Sequence, residues 1–176
     1  SNSNIIFNKT VDVDLDILPI ADRRYLDVEK YINNYSSINI AEKFSRPLSF
    51  YSGKGCIYAR DYGRCSFCAR MDHGYRSRNP ELVWHELKYL AKTFHADSFW
   101  DVADSVINDS KWFEEFVNIR PHDFSPYLHL YGRSDAVTLE VCQRLRNINC
   151  HLIFMGFESG SDDILKKIGY GKTVEK

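Results

Sequence analysis

Three of the five cysteines, Cys56, Cys65 and Cys68, fall within thirteen residues, in the run Cys56-Ile-Tyr-Ala-Arg-Asp-Tyr-Gly-Arg-Cys65-Ser-Phe-Cys68. An odd number of cysteines in a chain whose start lacks the basic-then-apolar form of a signal peptide argues for metal binding or catalysis over a disulfide framework. Soft thiolates at this spacing suit zinc or an iron–sulfur cluster. A structural zinc site closes with a fourth ligand, for which His73 is nearest in sequence. Three thiolates on a four-iron cluster instead leave one iron without a protein ligand, open to a substrate or cofactor. Cys142 and Cys150 stand alone in apolar patterns and read as buried hydrophobes. The histidines His85, His95, His122, His129 and His151 are scattered and read as structural or surface residues.

A second set of polar residues follows at intervals: Asp101 and Asp104, Arg133 and Asp135, then Glu158-Ser159-Gly160. Each has a plain structural reading. The aspartates can cap turns, Arg133 can pair with Asp135, and Glu158 can be solvated. Their joint position carries more weight, because each follows a short apolar run.

Those runs define the elements that must position them. From Leu48 onward a short apolar run and a capped amphipathic helix alternate four times, the rhythm of a parallel sheet. The runs are Leu48–Ser52, Ser98–Val102, Tyr127–Tyr131 and Leu152–Phe157. The first helix has Asn79 as cap and Pro80 at its first position, with Leu82, Val83, Leu87, Leu90, Ala91 and Phe94 on one face. The second starts near Ser110 and buries Trp112, Phe113, Phe116 and Val117. The third is capped by Thr138 and buries Val141, Cys142, Leu145 and Ile148. The fourth has Ser161 as cap, Asp162 and Asp163 in the first turn, Lys166 and Lys167 in the last, and Gly169 as its stop. The fourth run, apolar throughout, is expected to be covered on both faces. In such architectures the carboxyl ends of the strands face one shared opening, so the cysteines and the later polar groups are expected to line one cavity. Residues 1–47, with a helical pattern near Asp27 to Tyr35, read as a linker or cover segment, and residues 48–176 as the α/β unit.

At 176 residues, 44% hydrophobic and 27% charged, the chain has the composition of a globular domain. A formal net charge of −1 gives no sign of nucleic-acid binding. No stretch reaches the ~18 apolar residues that suggest a bilayer span. A cytosolic location is the expectation.

The cysteine loop resembles the cluster motif of the radical S-adenosylmethionine (SAM) superfamily, with eight residues in the first gap where three are usual. Tyr75-Arg76-Ser77-Arg78-Asn79-Pro80 with Glu86, Phe99-Trp100-Asp101-Val102-Ala103-Asp104, Gly132-Arg133-Ser134-Asp135 and Met155-Gly156-Phe157-Glu158-Ser159-Gly160-Ser161 extend the likeness to the branch that often carries a cobalamin-binding domain upstream. Leu18-Pro19 and Tyr25-Leu26 resemble the connector after that domain. The resemblance implies part of a (β/α)6 partial TIM barrel, stopping after four of six βα units. It implies a four-iron four-sulfur (4Fe-4S) cluster on Cys56, Cys65 and Cys68, with SAM on the open iron. Phe67 would pack on the adenine, Glu158 and Ser159 would face the ribose or amino-acid part, and Arg133 would line the same cavity. The usual Gly-Gly-Glu motif is absent, and Asp101 or Asp104 stands in its place. The implied chemistry is a 5′-deoxyadenosyl radical that takes hydrogen from an unknown substrate, or methyl transfer with cobalamin. An electron donor such as a flavodoxin or ferredoxin is implied. A noncatalytic zinc module closed by His73 and a plain α/β scaffold remain as alternatives. Self-association through an exposed fourth-strand edge is a further expectation.

Overall fold

The computed structural model describes residues 12–36, 44–69, 74–169 and 174. In chain order the elements are α1 (Val28–Ser36), β1 (Pro47–Phe50), β2 (Gly53–Gly55), α2 (Ile57–Tyr62), β3 (Tyr75–Ser77), α3 (Pro80–Phe94), β4 (Ser98–Asp101), α4 (Ser110–Asn118), β5 (Tyr127–Arg133), α5 (Leu139–Asn147), β6 (Cys150–Gly156) and α6 (Asp162–Lys167). Strands β1, β4, β5 and β6 pair side by side in that order, all parallel, so the expected βα alternation is present four times. Phe50 is level with Asp101, and Arg133 with Gly156. The residues that follow each strand therefore emerge on one side of the sheet.

The helix starts follow from local chemistry. Asn79 accepts the Glu81 amide and Pro80 occupies the first turn of α3, where its missing N–H costs nothing. Thr138 accepts the Val141 amide at the start of α5. Helix α4 starts at Ser110 as expected, capped by Asp109, which accepts from the Trp112 amide. Ser161 starts α6 without a side-chain bond, and Gly169 ends that segment at φ 75°.

One face of the sheet, carrying Leu48, Phe50, Phe99, Leu128 and Leu130, is buried against Val83, Leu87 and Leu90 of α3, Phe113 and Phe116 of α4 and Leu145 of α5. Trp84 joins this core. Its ring stacks on Phe116 with centroids 4.2 Å apart and planes 5° from parallel, and its Nε1 donates to the Phe116 carbonyl at 2.8 Å. Stacked pairs of this kind add about 0.5–1.5 kcal/mol beyond the area they bury. Val28 and Ile32 of α1 enter the same core, and Arg46, just before β1, ties Glu29 to the Phe94 carbonyl.

Three packing expectations are corrected. Leu82 is exposed, while Trp84 and Glu86 turn inward, because the buried stripe of α3 is centred one residue further along. Cys142 is exposed on α5, and Cys150 is only partly covered. Strand β6 is the edge of the sheet among the described residues, and its pattern is half-exposed where full cover was expected.

The other face carries rings in place of aliphatic side chains. Trp100, Tyr131 and Phe154 form a triangle with centroids 4.9–5.7 Å apart. Below them His129 packs edge-on against Trp100, and Phe44 closes over His129 and His151.

Candidate active site

Cys56 is placed by a short antiparallel hairpin. Strands β2 and β3 pair antiparallel, Gly53 opposite Ser77 and Gly55 opposite Tyr75. The approach is too close for side chains: a Cβ on Gly53 would come within 2.8 Å of the Arg76 carbonyl, and one on Gly55 would collide with that of Gly74. Gly55 also sits at φ 81°, which L-residues rarely adopt. Cys56 follows at once, its amide donating to the Gly74 carbonyl at 3.2 Å.

The eight residues between Cys56 and Cys65 are mostly helix α2, which Gly63 ends at φ 89°. The chain then turns so that the Cys68 amide donates to the Cys65 carbonyl at 3.0 Å. Two bonds pin this loop to the far end of the fold: the Ser66 amide to the Ile168 carbonyl at 3.1 Å, and the Tyr58 hydroxyl to the Gly169 carbonyl at 3.1 Å.

The loop covers a cavity of about 390 Å³ whose walls include Cys56, Cys65, Cys68, Phe67, Asp104, Tyr131, Arg133 and Gly156. That volume is in the range of cofactor and small-ligand sites. Burial raises the Cys65 thiol pKa, the nearby Arg133 guanidinium opposes the rise, and the Cys56 and Cys68 thiols add to it. The three sulfurs and one cation thus share a neighbourhood. Arg133 is itself fixed, with Nε and Nη2 on the Asp135 carboxylate at 3.0 and 2.7 Å and its guanidinium 3.9 Å from the Tyr58 ring centre. Arg133 thus pairs with Asp135, its side chain buried rather than on the surface, and is also part of the cavity wall.

The other expected residues divide. Asp104 is in the wall, and Phe67, about half-exposed, stands at the mouth. Asp101 is not part of the wall. Its carboxylate is buried beside β1, accepting from the Ser52 amide and hydroxyl and from the Ala103 amide. Burial pushes its pKa up to about 6 against the pull of those donors and of Arg78. Glu158 is exposed at φ 61°, a strained position for a non-glycine residue, and its carboxylate lies against Gly156, where a Cβ would strike it. Ser159 accepts the Ser161 amide at 3.1 Å. Neither Glu158 nor Ser159 is among the residues that line the cavity.

Tyr58 and the ring pair Tyr131 and Phe154 were not anticipated as wall residues. Alternation of Tyr127, His129, Tyr131 and Arg133 along one strand could have placed Tyr131 on the face of Arg133. Nothing local could have placed Tyr58 in the wall, since the contacts that hold it there are to Arg133 and Gly169, far along the chain.

The three thiols that line the cavity are soft donors of the kind that hold an iron–sulfur cluster or zinc. Among the described residues no three Cys, His, Asp or Glu side chains converge as one metal ion requires. On a four-iron cluster each cysteine would take a different iron, leaving the fourth iron open. His73 lies outside the described residues.

Comparison with known proteins agrees. The family model of the Radical SAM superfamily matches residues 53–176. The 4'-phospho-dehydrooxetanocin synthase of Priestia megaterium is 27% identical over 163 residues, covering 76% of this chain and 21% of that protein. Among solved structures, the cobalamin-dependent S-adenosylmethionine radical enzyme OxsB, with aqua-cobalamin and S-adenosylmethionine bound, superposes with a TM-score of 0.71 at 21% identity, over 96% of this chain and 24% of that one. The radical S-adenosylmethionine methyltransferase TsrM from Kitasatospora setae, with cobalamin and a 4Fe-4S cluster bound, gives 0.58 at 22%, over 72% and 24%. The chain thus spans between a fifth and a quarter of the proteins it matches.

Proposed function

The chain belongs to the radical SAM superfamily, and from that premise we propose that it is the part of a radical SAM enzyme that holds a 4Fe-4S cluster on Cys56, Cys65 and Cys68 and seats SAM in the cavity they share. The observation that carries this reading is the cavity itself: three thiols, with Phe67 and Arg133, facing one another past the carboxyl ends of parallel strands. When bound, the cluster and SAM supply a 5′-deoxyadenosyl radical, or a methyl group where cobalamin takes part.

The chain's own residues bind, orient and exclude water. Arg133 offers a fixed cation toward the carboxylate of SAM, held from below by Asp135 and Tyr58. Phe67 offers a ring to the adenine. Asp104 takes the amino-group position of the absent Gly-Gly-Glu motif, since Asp101 is committed to Ser52 and Ala103. Glu158, which lies against Gly156, and Ser159 face the ribose or amino-acid part of SAM.

The exposed cysteine loop suits electron delivery by a small redox protein such as a flavodoxin or ferredoxin, in the cytosol. No helix among the described residues is long and apolar enough to cross a membrane. Cobalamin, which both of these structural neighbours bind, would act together with this site. The edge of β6 supports self-association by strand pairing; light scattering at rising concentration is expected to show it, and a strict monomer throughout would contradict it.

The test is anaerobic iron–sulfide reconstitution of the chain and of Cys56→Ala, Cys65→Ala and Cys68→Ala. The parent is expected to take up about four irons, and each variant to fail. Normal cluster absorbance in any variant would overturn the ligand assignment.

A further inference from the structure

The gap between the first two cysteines is five residues longer than the superfamily's usual three, and the extra chain is built into a definite device. Helix α2 starts on Cys56 and carries Tyr58 across the opening. The Tyr58 ring lies 3.9 Å from the Arg133 guanidinium, its hydroxyl reaches the Gly169 carbonyl at 3.1 Å, and Tyr62 packs on its back at 4.9 Å. One side chain thereby joins three separate structures: the first-cysteine segment, the end of β5 and the end of α6. The Ser66–Ile168 backbone bond makes a parallel link from beyond the second cysteine.

The consequence for Arg133 is geometric. Its side chain is 7% exposed and clamped between the carboxylate of Asp135 and the face of Tyr58. The bidentate pair with Asp135 sets the edge of the guanidinium, and the Tyr58 ring on its flat face opposes tilting out of that plane. With the plane fixed, the edge of the guanidinium that does not meet Asp135 keeps one heading relative to the cavity.

We propose that Tyr58 is a positioning residue: the helix inserted between Cys56 and Cys65 brings its ring against Arg133 and its hydroxyl to the end of α6, so that the cysteine loop and the cation of the cavity are set by one side chain. Its effect on SAM rests on the function proposed above; its effect on loop order does not. The ring carries the contact with Arg133, and the hydroxyl carries the tie to Gly169. Phenylalanine therefore keeps the first function and loses the second, while leucine loses both.

The experiment compares Tyr58→Phe and Tyr58→Leu with the parent chain in two arms, with exchange of the α3 core amides confirming that each variant folds. In the reduced, cluster-free chain, hydrogen exchange is followed in peptides from residues 56–68 and 130–137. Tyr58→Leu is expected to speed exchange in both by about tenfold, and Tyr58→Phe to stay within about twofold in the second. In the reconstituted chain, SAM is titrated by its perturbation of the reduced-cluster paramagnetic resonance signal. Leucine is expected to weaken binding about tenfold, the scale of one cation–π contact, and phenylalanine to rescue it. Parent-like exchange in Tyr58→Leu, or equal losses in leucine and phenylalanine, would overturn the proposal. A parent chain that assembles no cluster would instead overturn the proposed function, with the exchange arm still deciding the role of Tyr58.

Discussion

Ser52, two residues past β1, donates both its amide and its hydroxyl to the carboxylate of Asp101 at the end of β4, which also accepts from Ala103. This bond set locks the first two strand ends together under the hairpin that delivers Cys56. Its ionisation has a readable cost. Burial raises Asp101 to about 6, above the ordinary carboxylate value, so between about pH 4 and 6 the unfolded chain gives up a proton that the folded chain retains, and stability falls as pH rises. His129 acts in the opposite sense. Burial, with His151 adding and Asp97 opposing, lowers it to about 4, so its neutral-state stability is complete above about pH 6.5 and is lost as pH falls toward 4. The two slopes oppose each other over the same interval. Urea titrations from pH 4 to 7 are expected to show Asp101→Asn gaining stability with pH more steeply than the parent, and His129→Phe less steeply, each by up to a few kcal/mol across the window. Parallel profiles for all three chains would contradict both assignments.

Gly55 has no room for a side chain, since a Cβ would meet the Gly74 carbonyl, and φ 81° adds strain. Gly55→Ala is expected to open the β2–β3 hairpin at a cost of about 1–3 kcal/mol and to displace Cys56. Cluster uptake should fall sharply while the far-ultraviolet spectrum of the sheet and helices changes little. Full uptake with parent-like stability would show that the hairpin does not position the cysteine.

Glu86 is the buried counter-ion of this region, 2.5 Å from Arg78 Nη1 and 3.9 Å from Arg23, with Arg78 also donating to the Tyr51 carbonyl. Glu86→Ala leaves a mostly buried guanidinium without its carboxylate, expected to cost about 3–5 kcal/mol in chemical denaturation. Glu86→Gln retains an acceptor and is expected to cost less. Equal and negligible losses would mean that water already screens the pair.

The sequence made the four βα units legible because caps and apolar stripes act locally: Asn79-Pro80 and Thr138 behave as read. The cysteine cavity was legible because strand ends must share an opening. What escaped depended on distant partners. Helix α2 is six residues long, too short to show a period, and is held by contacts to Arg133 and Gly169. The Gly-Lys-Gly hairpin needs Tyr75–Ser77, twenty residues on, to become a strand at all. Asp101 and Asp104 are three residues apart and indistinguishable by pattern, yet one is enclosed by Ser52 and the other is in the cavity wall. Cys142 belongs to an apolar pattern whose outer flank faces solvent.

The central claim is that Cys56, Cys65 and Cys68 hold a cluster with one iron open to SAM. It is tested most directly by the paramagnetic resonance spectrum of the anaerobically reconstituted, reduced chain, recorded with and without SAM. The account predicts a four-iron signal whose g-values shift when SAM is added. A chain that takes up zinc but no cluster, or a cluster signal that SAM leaves unchanged, would contradict it.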